Sequence, residues 1–123
     1  MKILITNDDG INAPGLEALY DIALGLTSAK NILTVAPASE QSGVGHAITY
    51  NGPITVDKLT SNRWAVHGTP ADCVIVGISE TDYKYDLILS GVNRGNNAGQ
   101  NTMYSGTVGA TIEAAMNSIP AIA

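Results

Sequence analysis

Residues 2–10, Lys-Ile-Leu-Ile-Thr running straight into Asn7-Asp8-Asp9-Gly10, decide the fold class. The run is short, rich in branched residues and apolar on both faces, as a strand buried inside a parallel sheet must be. It ends abruptly in a polar turn that carries a glycine. The same pattern returns at Asn31 to Ala36 (NILTVA), stopped by Pro37, and at Asp86 to Leu89 (DLIL), stopped by Ser90-Gly91.

Helical periodicities lie between these runs. Leu16, Leu19, Tyr20, Ala23 and Leu24 recur at helical spacing after Pro14-Gly15, which predicts one buried stripe. Thr69-Pro70 opens a second helix, with Thr69 at the N-cap, Pro70 at the first helical position and Asp72 beside the positive end of the dipole. Val74, Ile75 and Ile78 are its expected apolar face. A third helix is predicted from about Thr107 to Asn117, with Val108, Ile112, Ala115 and Met116 on its buried side. Pro120 ends it, and Ala121-Ile122-Ala123 reads as an incoming strand.

One stretch breaks the alternation. Ala47 to Tyr50, the Asn51-Gly52 pair, and Pro53 to Val56 read as a β-hairpin around a tight turn, and Arg63 to Val66 adds a further strand. The class is therefore α/β, a mostly parallel sheet flanked by helices, with a β-hairpin excursion. No internal repeat or linker is evident, so residues 1–123 read as one domain.

Composition narrows the function. Apolar residues make up 45% and charged residues 14%, which excludes a disordered chain. The net charge of -5 argues against binding a nucleic-acid duplex, which needs a basic surface. It leaves room for a small phosphorylated ligand, because a bound divalent cation reverses the local field of an acidic site. Cys73 is the only cysteine, so no internal disulfide forms. With no signal-like segment and no run long enough to span a membrane, the expectation is a cytoplasmic protein without membrane contact.

Ligands of an open parallel sheet bind beyond the carboxyl ends of its strands. The three segments found there are Asn7 to Gly10, Pro37 to Gly43, and Ser90 to Asn97. They offer carboxylates, hydroxyls and amide oxygens, hard donors that favour Mg²⁺, Mn²⁺ or Ca²⁺ over zinc. Adjacent Asp8 and Asp9 repel each other unless a cation or a shared proton intervenes. The plainer alternative is that both acids cap the turn into the first helix. Ser105-Gly106-Thr107 opens the third helix and could bind an anion at its free N–H groups, or could simply cap it. His46, close to the second loop, is a candidate for proton transfer. His67, Trp64 and Cys73 read as structural, and Glu40 is left undecided.

Several of these segments, in order, resemble the SurE (survival protein E) nucleotidase family. They are Asn7-Asp8-Asp9-Gly10 with Ala13-Pro14-Gly15, Ala36-Pro37 through Ser42-Gly43, and Gly68 to Val74. Ser90 to Asn93 with Gly95, Asn97 and Gly99, then Tyr104 to Val108, complete the series. The resemblance covers essentially the whole chain. It implies a three-layer, Rossmann-like fold and a phosphatase acting on nucleoside 5′- and 3′-monophosphates, sometimes on polyphosphate. It implies one Mn²⁺ or Mg²⁺ per subunit, held by Asp8, Asp9, Ser42 and Asn93. On the site chemistry Asp8 or Asp9 could also handle a proton, although a metal-bound carboxylate is a weak base. Asn7, Asn97, Ser105, Gly106 and Thr107 fall where the family lines its phosphate pocket. Family chains are roughly twice this long, and their second half builds a homodimer or homotetramer; that half is expected to be missing here.

Two other readings compete. A non-catalytic nucleotide-binding module would share the site without turnover. A phosphoacceptor receiver domain fits the length and the acidic pair, but no acid stands at Ser90 to Val92, where its acceptor would fall, and no lysine follows Lys84.

Overall fold

The computed structural model describes all of residues 1–123. Six strands form one sheet: β1 (Ile3–Thr6), β2 (Ile32–Pro37), β3 (Val56–Thr60), β4 (Arg63–Val66), β5 (Leu87–Ser90) and β6 (Ala121–Ile122). Their order is β3-β4-β2-β1-β5-β6. Every pairing is parallel except β3 with β4. The three helices are α1 (Pro14–Leu24), α2 (Pro70–Ser79) and α3 (Gly106–Met116).

Strand residues alternate between the two faces. Ile3 and Ile5 pack with Leu16, Leu19 and Ala23 of α1 on one face. Leu4, between them, packs with Val74 of α2 and Ala110 and Ala114 of α3 on the other. The chain is thus three-layered, α1 against the sheet and α2 with α3 behind it. The central strands β1 and β2 are buried along their whole length, whereas the edge strand β3 is mostly exposed and carries Asp57 and Lys58. Charge on an edge discourages pairing with another chain.

The opening of α2 is as local chemistry dictates. Thr69 Oγ1 accepts from the Asp72 N–H at 3.1 Å, and the Asp72 carboxylate accepts from the Thr69 N–H at 2.9 Å. This reciprocal capping satisfies two otherwise unpaired helix donors.

Four expectations are corrected. The hairpin exists but is displaced along the chain: β3 pairs with β4 around Ser61-Asn62, and residues 47–55 form no strand. Their polar groups are already engaged elsewhere. The Thr49 N–H and hydroxyl both donate to Asp72, and the Ala47 carbonyl accepts from the Thr69 hydroxyl. The buried side of α3 is Gly109, Ala110, Glu113 and Ala114, while Ile112 and Met116 face outward. Small residues win because α3 lies too close to its neighbours for larger ones; a Cβ on Gly109 would stand 2.1 Å from the Gly45 carbonyl oxygen. In α2, Val74 is buried as expected but Ile75 and Ile78 are only half-buried; Ala71, Cys73, Val76 and Gly77 are the deeper positions. Gly77 rides directly on Leu4. Finally, Leu24 at the end of α1 is exposed.

Candidate functional site

The carboxyl ends of β1, β2 and β5 lie side by side, and the loops that leave them are tied to one another by backbone bonds. The Gln41 N–H donates to the Asp8 carbonyl at 2.8 Å, and the Ile11 N–H to the Pro37 carbonyl at 2.8 Å. The Gly91 N–H donates to the Thr6 carbonyl at 2.9 Å, and the Val92 N–H to the Gly15 carbonyl at 3.0 Å. Gly15 permits that last contact, since a Cβ there would stand 2.1 Å from the Val92 oxygen. Gly10 and Gly91 have φ of 105° and 140°, a region that side chains disfavour.

A cavity of about 370 Å³ opens where these loops meet. Asp8, Asp9, Ser42 and Asn93 all line it, together with Asn97 and Ser105. Residues up to 97 positions apart in sequence are thereby brought around one space. Glu40, Gly43, Arg94, Gly95, Asn101 and Tyr104 complete the lining. Of these, Glu40 had been left undecided by the sequence, and Arg94 and Asn101 were missed. Adjacency was the only available signal, Arg94 sitting beside Asn93 and Asn101 in the 3₁₀ turn Gly99–Tyr104 that follows the same polar loop.

Asp8 is 7% exposed. Its Oδ1 accepts from the Thr107 hydroxyl at 2.8 Å, and its backbone carbonyl holds the second loop. Burial raises its carboxyl above the ordinary value of 3.8; the Thr107 hydroxyl opposes that rise and the neighbouring Asp9 charge adds to it. Asp9 Oδ2 accepts from the Arg94 N–H at 3.2 Å. The chain's three ion pairs, His46–Glu113, Arg63–Glu17 and His67–Asp57, all lie elsewhere, so neither carboxylate has a cationic side chain against it. Asn93 donates from Nδ2 to the Gly95 carbonyl at 3.1 Å, which leaves its amide oxygen for another partner. The Ser42 hydroxyl donates to Glu40 Oε1 at 2.7 Å.

Three of the expected phosphate-side residues lie outside the cavity lining. Asn7 is fully buried, and its amide closes its own turn by donating to the Gly10 carbonyl at 2.9 Å and accepting from the Gly10 N–H at 3.2 Å. Thr107 is turned to Asp8. Gly106 is the contact point between α3 and the first loop; a Cβ there would stand 3.0 Å from the Asp8 Cβ and from Pro70 Cγ. The positive end of α3 thus faces a carboxylate of the chain itself, a favourable pairing with the helix dipole. Ser105 does reach the cavity, and its oxygen accepts from the Val108 N–H at 3.1 Å as an N-cap.

His46 is not at the cavity. Its Nε2 lies 2.7 Å from Glu113 Oε2 on α3. His67 pairs with Asp57 on the edge strand, Trp64 is a core residue, and Cys73 is a fully buried thiol whose burial pushes its pKa up.

The donor set suits a hard cation. Two carboxylates free of ion pairs line one space with a hydroxyl and an amide, and no cluster of three or more His, Cys, Asp or Glu side chains forms anywhere in the chain.

Comparison with known proteins agrees in both sequence and structure. Residues 3–123 match the family described as Survival protein SurE. Over its whole length the chain is 56% identical to the 5′-nucleotidase SurE of Roseobacter denitrificans and 51% identical to that of Geotalea daltonii. It covers 48% and 49% of those two proteins, so it spans about half the length of the curated relatives it matches. The crystal structure of the SurE protein from Aquifex aeolicus superposes with a TM-score of 0.88 at 42% identity, over 100% of this chain and 50% of that one.

Proposed function

The chain belongs to the survival protein SurE family, and on that premise we propose that it is a divalent-metal-dependent nucleotidase that hydrolyses nucleoside monophosphates to nucleoside and phosphate. The proposal extends to 5′- and 3′-monophosphates and to polyphosphate, with one Mn²⁺ or Mg²⁺ per subunit and a homodimer or homotetramer as the assembled form. One observation carries it: Asp8, Asp9, Ser42 and Asn93 converge on a single cavity with both carboxylates free of ion pairs.

The electrostatics support the need for a cation. The cavity is lined by Asp8, Asp9 and Glu40 against a single Arg94, a field that repels a phosphate dianion. When bound, a divalent cation supplies Lewis-acid polarisation of the phosphoryl group and lowers the pKa of water. The chain does the rest. Asp8 and Asp9 provide the negative charge that holds the cation, and Thr107 fixes the Asp8 carboxylate through its hydroxyl. Asn97, Asn101 and Arg94 line the cavity, and amide and guanidinium donors of this kind can orient phosphoryl oxygens. Burial of Asp8 weakens the screening of this charge by water.

The test is phosphate release from 5′- and 3′-nucleoside monophosphates and polyphosphate, with Mn²⁺ or Mg²⁺ and with chelator. Metal-dependent release that Asp8→Asn and Asn93→Ala abolish supports the proposal. Release that persists undiminished in chelator refutes the metal requirement, and metal-dependent nucleotide binding without turnover favours a binding module.

A further inference from the structure

Ser42 and Glu40 are two residues apart in the second loop, and the Ser42 hydroxyl donates to Glu40 Oε1 at 2.7 Å. Both residues line the cavity that Asp8 and Asp9 also line. A serine hydroxyl has one proton and two lone pairs, and only the lone pairs can face a cation. An ionised carboxylate is purely an acceptor, so a hydroxyl in contact with it must direct its proton there. Glu40 therefore sets the orientation of the Ser42 hydroxyl and leaves its lone pairs turned elsewhere. The backbone between them is anchored as well, because the Gln41 N–H donates to the Asp8 carbonyl at 2.8 Å.

We infer that Glu40 is a positioning residue for the cation site, acting through Ser42 by taking its hydroxyl proton so that the oxygen is presented to the metal. The inference rests on the proposed metal site. It assigns Glu40 a role distinct from that of a direct ligand or of a mere third negative charge, and those roles have different thermodynamic signatures. A charge or a direct ligand acts whether or not Ser42 is present. A proton acceptor for Ser42 has nothing to orient once the hydroxyl is gone.

The experiment is a double-mutant cycle on Mn²⁺ affinity, read from the electron paramagnetic resonance signal of free Mn²⁺ at neutral pH. The proteins are the unaltered chain, Glu40→Ala, Ser42→Ala and the double variant, with metal-free melting temperatures as a check on folding. Loss of an outer partner of a ligand weakens metal binding by about 10–100-fold. The expected result is a weakening of at least about tenfold for Glu40→Ala alone, which removes the acceptor, and little further effect of that change in the Ser42→Ala background. Equal weakening in both backgrounds overturns the inference and makes Glu40 a direct ligand or a bulk charge. Unchanged affinity in Glu40→Ala also overturns it, while leaving the metal site itself standing. No Mn²⁺ binding by the unaltered, folded chain removes the metal site and this inference together.

Discussion

The Thr107 hydroxyl donates to Asp8 Oδ1 across 2.8 Å, joining the first turn of α3 to the end of β1 over 99 positions of sequence. Both groups are buried, so the bond holds the carboxylate in one orientation and partly satisfies a charge largely withdrawn from water. Thr107→Val keeps the shape and removes the donor. A metal-free melt should show a loss of about 1–3 kcal/mol. Mn²⁺ affinity should fall by about tenfold or more. Thr107→Ser should retain most of both.

Asp8→Asn should have opposite effects on the empty and the loaded protein. Burial and the Asp9 charge raise the Asp8 carboxyl, so the charged form is disfavoured in the fold. Between 3.8 and that raised value, folded Asp8 holds a proton that the unfolded chain has released, so its contribution to stability grows as pH falls through this window. At neutral pH, metal-free Asp8→Asn should therefore melt higher than the unaltered chain. The gap should narrow on acidification, and the Mn²⁺-induced rise in melting temperature should vanish. A lower melting temperature for metal-free Asp8→Asn would contradict this account of the site.

Gly15→Ala tests how the third loop is seated. Its Cβ would stand 2.1 Å from the Val92 carbonyl oxygen, a backbone atom that cannot rotate away. Overpacking of this kind destabilises by about 1–3 kcal/mol. Because Val92 precedes Asn93, Mn²⁺ affinity should fall with stability, both read in one thermal-shift titration.

Cys73 predicts alkaline behaviour. Burial pushes its thiol above the ordinary 9.0, so the folded chain keeps the proton while the unfolded chain loses it. Stability should then fall as pH rises above 9.0, by about 1.4 kcal/mol per pH unit from this group. Urea melts of Cys73→Ala should lack that component, and the native thiol should resist a thiol-directed reagent until the chain unfolds.

The parallel strands and the opening of α2 were legible because both are local. Branched apolar runs such as Ile3 to Ile5 announce burial on two faces, and Thr69-Pro70 with Asp72 carries its whole cap within four residues. The hairpin was misplaced because Asn51-Gly52 has the composition of a tight turn, while Thr49 and Ala47 had better partners on α2. The face of α3 was misread for a related reason. Hydrophobic spacing pointed to Ile112 and Met116, but the available gap admits only Gly109, Ala110 and Ala114, and Glu113 is buried beside His46.

By itself, then, the sequence determined the α/β class, the three polar loops at the strand ends and the hard oxygen donors those loops carry. Only the tertiary structure decided which of them share a cavity. It turned Asn7 inward to its own loop, set Thr107 against Asp8 rather than the open space, and paired Ser42 with Glu40 at its wall. The reason is one of range. Strand propensity and helix capping are set by neighbours a few residues apart. The site depends on the register of β1 against β2 and β5 and on the close approach that glycine allows at positions 15 and 106, and those relations exist only once the sheet has formed.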